Sequence, residues 1–330
     1  MLGYLFRRFL YALLAIWAVS VVSFLIIQLP PGDYVTSYIA NLSEQGGAIG
    51  AAEADNLRKF YGIDRPVYIQ YLKWMNQIVR GNLGYSFEWE MPVRDLLGER
   101  LQLTFLLALA SVLFTWFVAI PIGILSAVKQ YSWFDYAATT FGFIGLAVPD
   151  FLLALVLLYI GFAWFGFSVG GLFSEQYIVA SWSIGRVGDL LAHLWIPVLI
   201  LGTSGTAQLV RIMRANLLDE LRKPYVVTAR AKGLPEWKVV LKYPVRLALN
   251  PAVSLTAYIL PYLVSGAILV SVVLNLPTVG PILLRALVSE DTYVSGAIIM
   301  MVGSLTVIGT LISDLLLVWV DPRIKFEGRA

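Results

Sequence analysis

Leu10 to Leu29 is an apolar run without a formal charge. At 1.5 Å per residue, about twenty such residues cross the roughly 30 Å hydrocarbon core of a bilayer. A cleaved secretory signal has a shorter apolar region and a small-residue cleavage site, whereas Gln28-Leu29-Pro30-Pro31-Gly32-Asp33 follows here, so the run reads as a retained span. Comparable runs follow at Leu101 to Val128, Leu190 to Val210, Leu247 to about Asn275 and Val294 to Val320. Between them Tyr136 to Phe173 is apolar apart from Asp150. About fourteen residues precede that aspartate, too few to cross, so one span over Tyr136 to Phe162 is expected. Trp164, Phe165, Gly170 and Gly171 then suit an interfacial connection. The expectation is an all-α polytopic membrane protein with about six transmembrane helices.

Charge sets the topology. Only 14% of the residues are charged, and the loop between the fourth and fifth spans concentrates them. It holds Arg211, Arg214, Arg222, Lys223, Arg230, Lys232, Lys238, Lys242 and Arg246 against Asp219, Glu220 and Glu236. Short cytoplasmic loops carry the excess of Lys and Arg, so this loop, Arg7, Arg8, Lys129 and the tail with Arg323, Lys325 and Arg329 are expected inside. Both termini are then cytoplasmic. The expected segments are an N-terminal helix over 1–30, an external loop region with short helices over 31–100, a membrane core over 101–322 containing the basic loop 211–250, and a tail over 323–330.

Several chemistries are excluded. Cysteine is absent and His193 is the sole histidine, which removes disulfides, thiolate nucleophiles and the usual Cys/His metal sites. No Gly-Lys dipeptide occurs, so no phosphate-cradling Walker loop can form. The chain is read as a non-enzyme with no catalytic residues, metal or bound cofactor of its own, and no nucleic-acid partner.

Within the basic loop, Pro224 suits the first turn of a short helix and Gly233 its left-handed end. Tyr225, Ala229 and Gly233 recur every four residues, a face with small side chains that allows close approach by another protein. Arg230 and Lys232 lie off it. Charge alone also fits an anchor on anionic lipid.

The string Tyr225-Val226-Val227-Thr228-Ala229-Arg230-Ala231-Lys232-Gly233-Leu234, with Pro251 beyond it, resembles the cytoplasmic coupling motif of bacterial ABC-importer permeases, in the dipeptide, oligopeptide and nickel branch. The likeness extends through Tyr61-Gly62-Ile63-Asp64-Arg65-Pro66, Gln70-Tyr71, Trp74, Gly81-Asn82-Leu83-Gly84-Tyr85-Ser86, Pro92-Val93, Glu99-Arg100-Leu101 and Asp321-Pro322-Arg323. It departs at Val227-Thr228-Ala229, where the general pattern has an acidic residue before two alanines, and at Ser271 and Pro277-Thr278. The resemblance implies a type I importer permease fold in the bacterial inner membrane. It implies that Tyr225, Val226, Thr228, Ala229, Arg230, Ala231, Lys232, Gly233 and Leu234 couple to an ATPase. It also implies a second homologous permease subunit, two ATP-binding subunits that carry ATP and Mg, and a periplasmic or lipid-anchored substrate-binding protein. Peptides are the implied cargo, with oligosaccharides or another solute as the alternative.

Other candidates are carried with their structural alternatives. Asp150 is a pathway residue or, after Pro149, the start of the second half of a broken helix. Asn275, Pro277 and Gly280 break the outer part of the fifth span, as a gate or as ordinary loop entry. Asp314 is expected to pair with a snorkelling Lys or Arg, and His193 to be a hydrogen-bonded interfacial residue. An ion-gradient-driven transporter, the rival reading, calls for more intramembrane charges than Asp150 and Asp314 provide.

Overall fold

The computed structural model describes residues 2–28, 59, 65–86, 88–166, 170–254 and 267–320. Tyr61 to Asp64, the middle of the expected fifth span and the Asp321-Pro322-Arg323 end lie outside them. The regular structure of the described residues is helical except for one antiparallel pair, β1 (Tyr85–Ser86) and β2 (Met91–Pro92). Among the described residues four helices are long and apolar enough to cross a membrane, or five if one bent pair counts as a span, against the six expected, the fifth of which lies partly outside them.

The first of these, α1 (Leu2–Gln28), packs against the last, α12 (Thr292–Val320). Lipid offers no hydrophobic drive for helix association, so small residues and polar pairs decide such contacts. A Cβ at Gly303 of α12 would run into Val19 of α1. At one end Arg8 Nη1 meets Asp314 Oδ2 at 2.8 Å, the partner expected for that aspartate. At the other, Ser20 and Tyr71 hydroxyls are 2.8 Å apart, and Phe24 packs on Trp74. Tyr71 and Trp74 belong to α2 (Val67–Val79), the amphipathic run in the first loop.

The centre of the molecule is the pair α3 (Val93–Val128) and α6 (Ile184–Leu221). Both are longer than the uncharged runs that announced them, with 36 and 38 residues. At 1.5 Å per residue each exceeds 50 Å, well beyond the ~30 Å core, so polar ends project from the apolar middle. They approach closely where one side lacks a side chain. A Cβ on Gly202 would lie 2.5 Å from Phe114, and one on Gly123 would lie 2.8 Å from the Met213 Cβ.

The expected third span is broken rather than straight. Helices α4 (Trp133–Ala147) and α5 (Asp150–Phe165) meet at 99°. Pro149 offers no N–H to continue α4 and pushes Val148 out of the helical region, to ψ 120°. Asp150 therefore opens a new helix instead of sitting inside a continuous one.

The basic loop follows α6 with α7 (Pro224–Ala231), α8 (Glu236–Lys242) and α9 (Pro244–Ala248). After residues 255–266, α10 (Ala267–Val273) and α11 (Val279–Val288) lead into α12.

Gly202→Leu should force α3 and α6 apart and lower stability by about 1–3 kcal/mol. Gly188→Leu on the same helix, with open space around it, should change the melting temperature in detergent far less. Equal shifts would contradict the close packing assigned to Gly202.

Candidate functional site

The basic loop is built from three proline-initiated turns. Pro224 stands at the first position of α7, Pro235 caps α8 and Pro244 opens α9. Proline's missing N–H costs nothing there, and its fixed φ is already helical. Gly233 ends α7 with φ +72°, a conformation that favours glycine. The helix spans the residues expected of it.

Its facing differs from the expectation. Val226 and Ala229 are buried, at 0% and 6% exposure, with Val239 of α8 and flanking Tyr225. Of the expected small-residue face, Ala229 is thus turned into the loop, while Gly233 stays exposed. The reason is α8, which folds back and uses Ala229 as the seat for Val239. Presented outward instead are Val227 (58% exposed), Thr228, Arg230, Ala231, Lys232, Gly233 and Leu234 (37%).

Polar contacts hold α7 at both ends. Tyr225 donates its hydroxyl hydrogen bond to Glu220 Oε2 at 2.5 Å, joining α7 to the end of α6. Burial, with the nearby Glu220 carboxylate adding to it, raises the Tyr225 pKa. A raised value means the hydroxyl's contribution is complete below the ordinary tyrosine pKa of about 10 and is lost only as pH rises through the higher folded value. At the other end Arg230 makes a forked pair with Glu236, at 2.5 Å from Nη2 to Oε1, and this bond holds the Glu236 pKa below its usual range. Both groups are about half exposed, so the pair orders the α7–α8 turn more than it stabilises the fold.

The loop is fastened in turn to the ends of the long helices. Val240, Val245 and Ala248 share a buried cluster with Ala127 of α3 and with Met213 and Leu217 of α6. Beside it Arg214 of α6 forks onto Asp135 of α4, with Nε to Oδ1 at 2.6 Å and Nη2 to Oδ2 at 2.7 Å. The Tyr131 N–H donates to Oδ2 at 2.9 Å, and the Ser126 hydroxyl donates to Oδ1. Asp135 is 2% exposed. Sequence reading missed this group, because the two partners lie 79 residues apart. The one available signal was Ser132 before Asp135, a helix-start pattern in which Ser132 Oγ accepts from the Asp135 N–H.

The candidate pathway residues fall in two places. Asp150 begins α5, where a carboxylate is favoured by the helix dipole, and the Ser204 hydroxyl of α6 reaches its Oδ2 at 3.4 Å. Asn275, Pro277 and Gly280 gather at the break between α10 and α11. Asn275 has φ 49°, and a Cβ on Gly280 would come 3.1 Å from the Ile268 Cα. Two long-range bonds pin this break: Gly171 N–H to the Leu274 carbonyl at 2.7 Å, and Val279 N–H to Thr104 Oγ1 of α3 at 3.0 Å.

A further polar centre on that side was also missed. Arg186, 3% exposed, pairs with Glu99 at 2.6 Å and stacks on Phe173 and Trp182, with ring centroids 4.6 and 4.7 Å away. It fastens the segment before α6 to the start of α3. His193 Nδ1 lies 2.8 Å from the Asp189 carbonyl within α6. Among the described residues no group of three or more His, Cys, Asp or Glu side chains is placed to hold a metal ion.

Spanning helices around a close-packed central pair, with a helix-bearing basic loop at one end, are the architecture of a multi-pass membrane protein. The chain belongs to the family of binding-protein-dependent transport system inner membrane components, whose model matches residues 119–326, with the model of the family's N-terminal part matching residues 1–108. It is 34% identical to the oligopeptide transport system permease protein AppB of Bacillus subtilis over 332 residues, covering 99% of this chain and all of that protein. It is 30% identical to the inner membrane ABC transporter permease protein YejB of Escherichia coli O157:H7 over 363 residues, covering 99% and 100%. The dipeptide transport system permease protein DppB of Escherichia coli K12 is 29% identical over 343 residues, with the same coverage.

Arg214→Met should strand a buried carboxylate and cost about 3–5 kcal/mol. Adding Asp135→Asn should restore most of that loss in a melting experiment, and failure to do so would show that the pair is not the link between α4 and α6. Tyr225→Phe should lower amide-exchange protection of α7 by roughly tenfold at neutral pH, from loss of one hydrogen bond to a charged group. Unchanged exchange would remove Glu220 as its anchor.

Proposed function

We propose that the chain is the pore-forming permease of an ATP-driven importer of peptides, acting by alternating access beside a second, homologous membrane subunit. Two ATP-binding subunits carry the ATP and Mg and perform hydrolysis. An external substrate-binding protein delivers the cargo. The basic loop and both termini face the cytoplasm, in keeping with the excess of Lys and Arg there.

One observation carries the reading. α7 is exposed on one face and locked on the other, through Val239 and Val240 of α8, to the ends of α3 and α6. A partner that moves α7 therefore moves the membrane helices. Nucleotide shifts the permease only if the ATPase binds its two conformations with different free energy, and this joint is where the difference enters. Peptides are favoured as cargo because relatives aligned over their full length are named oligopeptide and dipeptide permeases.

Val227→Glu or Ala231→Trp, both on the outward face of α7, should lower uptake of a labelled peptide by more than tenfold in proteoliposomes of the complete transporter. Insertion and melting temperature should stay the same, and the ATPase subunits should no longer co-purify. Ala229→Glu should instead destabilise the chain itself, because that side chain is buried in the loop. Normal uptake in the Val227 and Ala231 variants would refute the assignment of α7, and competition by oligosaccharide but not by peptide would refute the cargo.

A further inference from the structure

Helix α8 has two faces that its role as a spacer under α7 does not require. Val239 and Val240 are buried, Val239 in a cluster with Val226 and Ala229, Val240 in a cluster with Ala127, Met213 and Leu217. Turned away from the protein are Trp237 (63% exposed) and Leu241 (53%), one turn apart on one face. Lys238 and Lys242, also exposed, flank them. The Lys238 ammonium stands 5.3 Å from the Trp237 ring centre, and that of Lys242 stands 5.5 Å from the Tyr243 ring centre.

The depth of α8 follows from its packing. Ala127, which shares a buried cluster with Val240, lies in the last turn of α3, and the charged Lys129 follows directly. α8 therefore sits at the level where the apolar span gives way to water. A tryptophan and a leucine facing outward at that level, beside lysines whose stems allow the ammonium to reach headgroups, match an interfacial amphipathic helix.

We infer that α8 rests on the cytoplasmic leaflet, with Trp237 and Leu241 at the boundary of headgroups and acyl chains and Lys238 and Lys242 on anionic lipid phosphates. The inference rests on the cytoplasmic placement of the loop proposed above. It makes the joint between ATPase and membrane helices a lipid contact as well, with α7 presented to the motor and α8 to the bilayer. Charge complementarity selects an anionic lipid over a neutral one, because each basic residue near the surface is worth about a fivefold preference.

Since the chain has no cysteine, single labels can be placed at will. An environment-sensitive fluorophore at Trp237→Cys or Leu241→Cys is read in the full chain, with and without its ATPase subunits, in vesicles of phosphatidylcholine alone or mixed with phosphatidylglycerol. The expected result is blue-shifted emission quenched by doxyl-labelled lipid, more strongly by doxyl-phosphatidylglycerol than by doxyl-phosphatidylcholine. Lys238→Gln with Lys242→Gln should erase that preference. Quenching by aqueous iodide alone, or shielding only once the ATPase subunits bind, would overturn the inference by giving the face to water or to protein. A label at Val227→Cys separates the two readings: if it stays open to iodide with the ATPase bound while the α8 labels meet lipid, the docking role of α7 fails and the lipid contact of α8 stands.

Discussion

The close crossing of α3 and α6 is the contact on which the rest of the molecule depends. In hydrocarbon the two helices gain nothing from hiding apolar surface from each other, so their association relies on close packing at Gly123 and Gly202. Polar anchors tie further elements to this pair at either end. Arg214 of α6 takes hold of Asp135 at the start of α4, with Ser126 of α3 on the same carboxylate, and Arg186 of α6 takes hold of Glu99 of α3. Because the apolar middle is generic and these ends are not, the ends fix the register in which the long helices meet.

That register matters for transport because α3 touches both sites the chain offers. Near one end, Thr104 accepts from the backbone at the break between α10 and α11, where Asn275, Pro277 and Gly280 stand. Near the other, Ala127 and Ser126 meet the loop helices and the Asp135 group. The two sets lie roughly 30 Å apart along one helix. Close-packed side chains rearrange between discrete states rather than deforming smoothly. On the function proposed above, a displacement delivered to the loop would pass along α3 and α6 as a rigid shift, with the α10–α11 break as the place where the backbone yields.

The first, second, fourth and sixth expected spans and the ends of α7 were legible in the sequence because they depend on local chemistry. An uncharged run of sufficient length has one solution in lipid, and Pro224 with Gly233 bounds a helix wherever it lies. The bend at Val148-Pro149-Asp150 was half legible: proline marked the break, but nothing local marked a 99° turn in place of a kink. The outward face of α7 was not legible, since Ala229 is small both when it receives a partner and when it receives Val239 of the same chain. Nor were Arg214 with Asp135 or Arg186 with Glu99, because such pairings exist only once distant helices are packed.

Distances between spin labels in the complete transporter test the rigid joint most directly, and because this chain has no native cysteine it can be labelled cleanly before assembly with its partners. One pair would join Val227 of α7 to Leu125 of α3, and the other would join Val227 to Val288 of α11. On adding ATP, the first distance should stay constant and the second should change. A change between Val227 and Leu125, with Val227 to Val288 constant, would mean that the loop flexes on its own and does not drive the membrane helices.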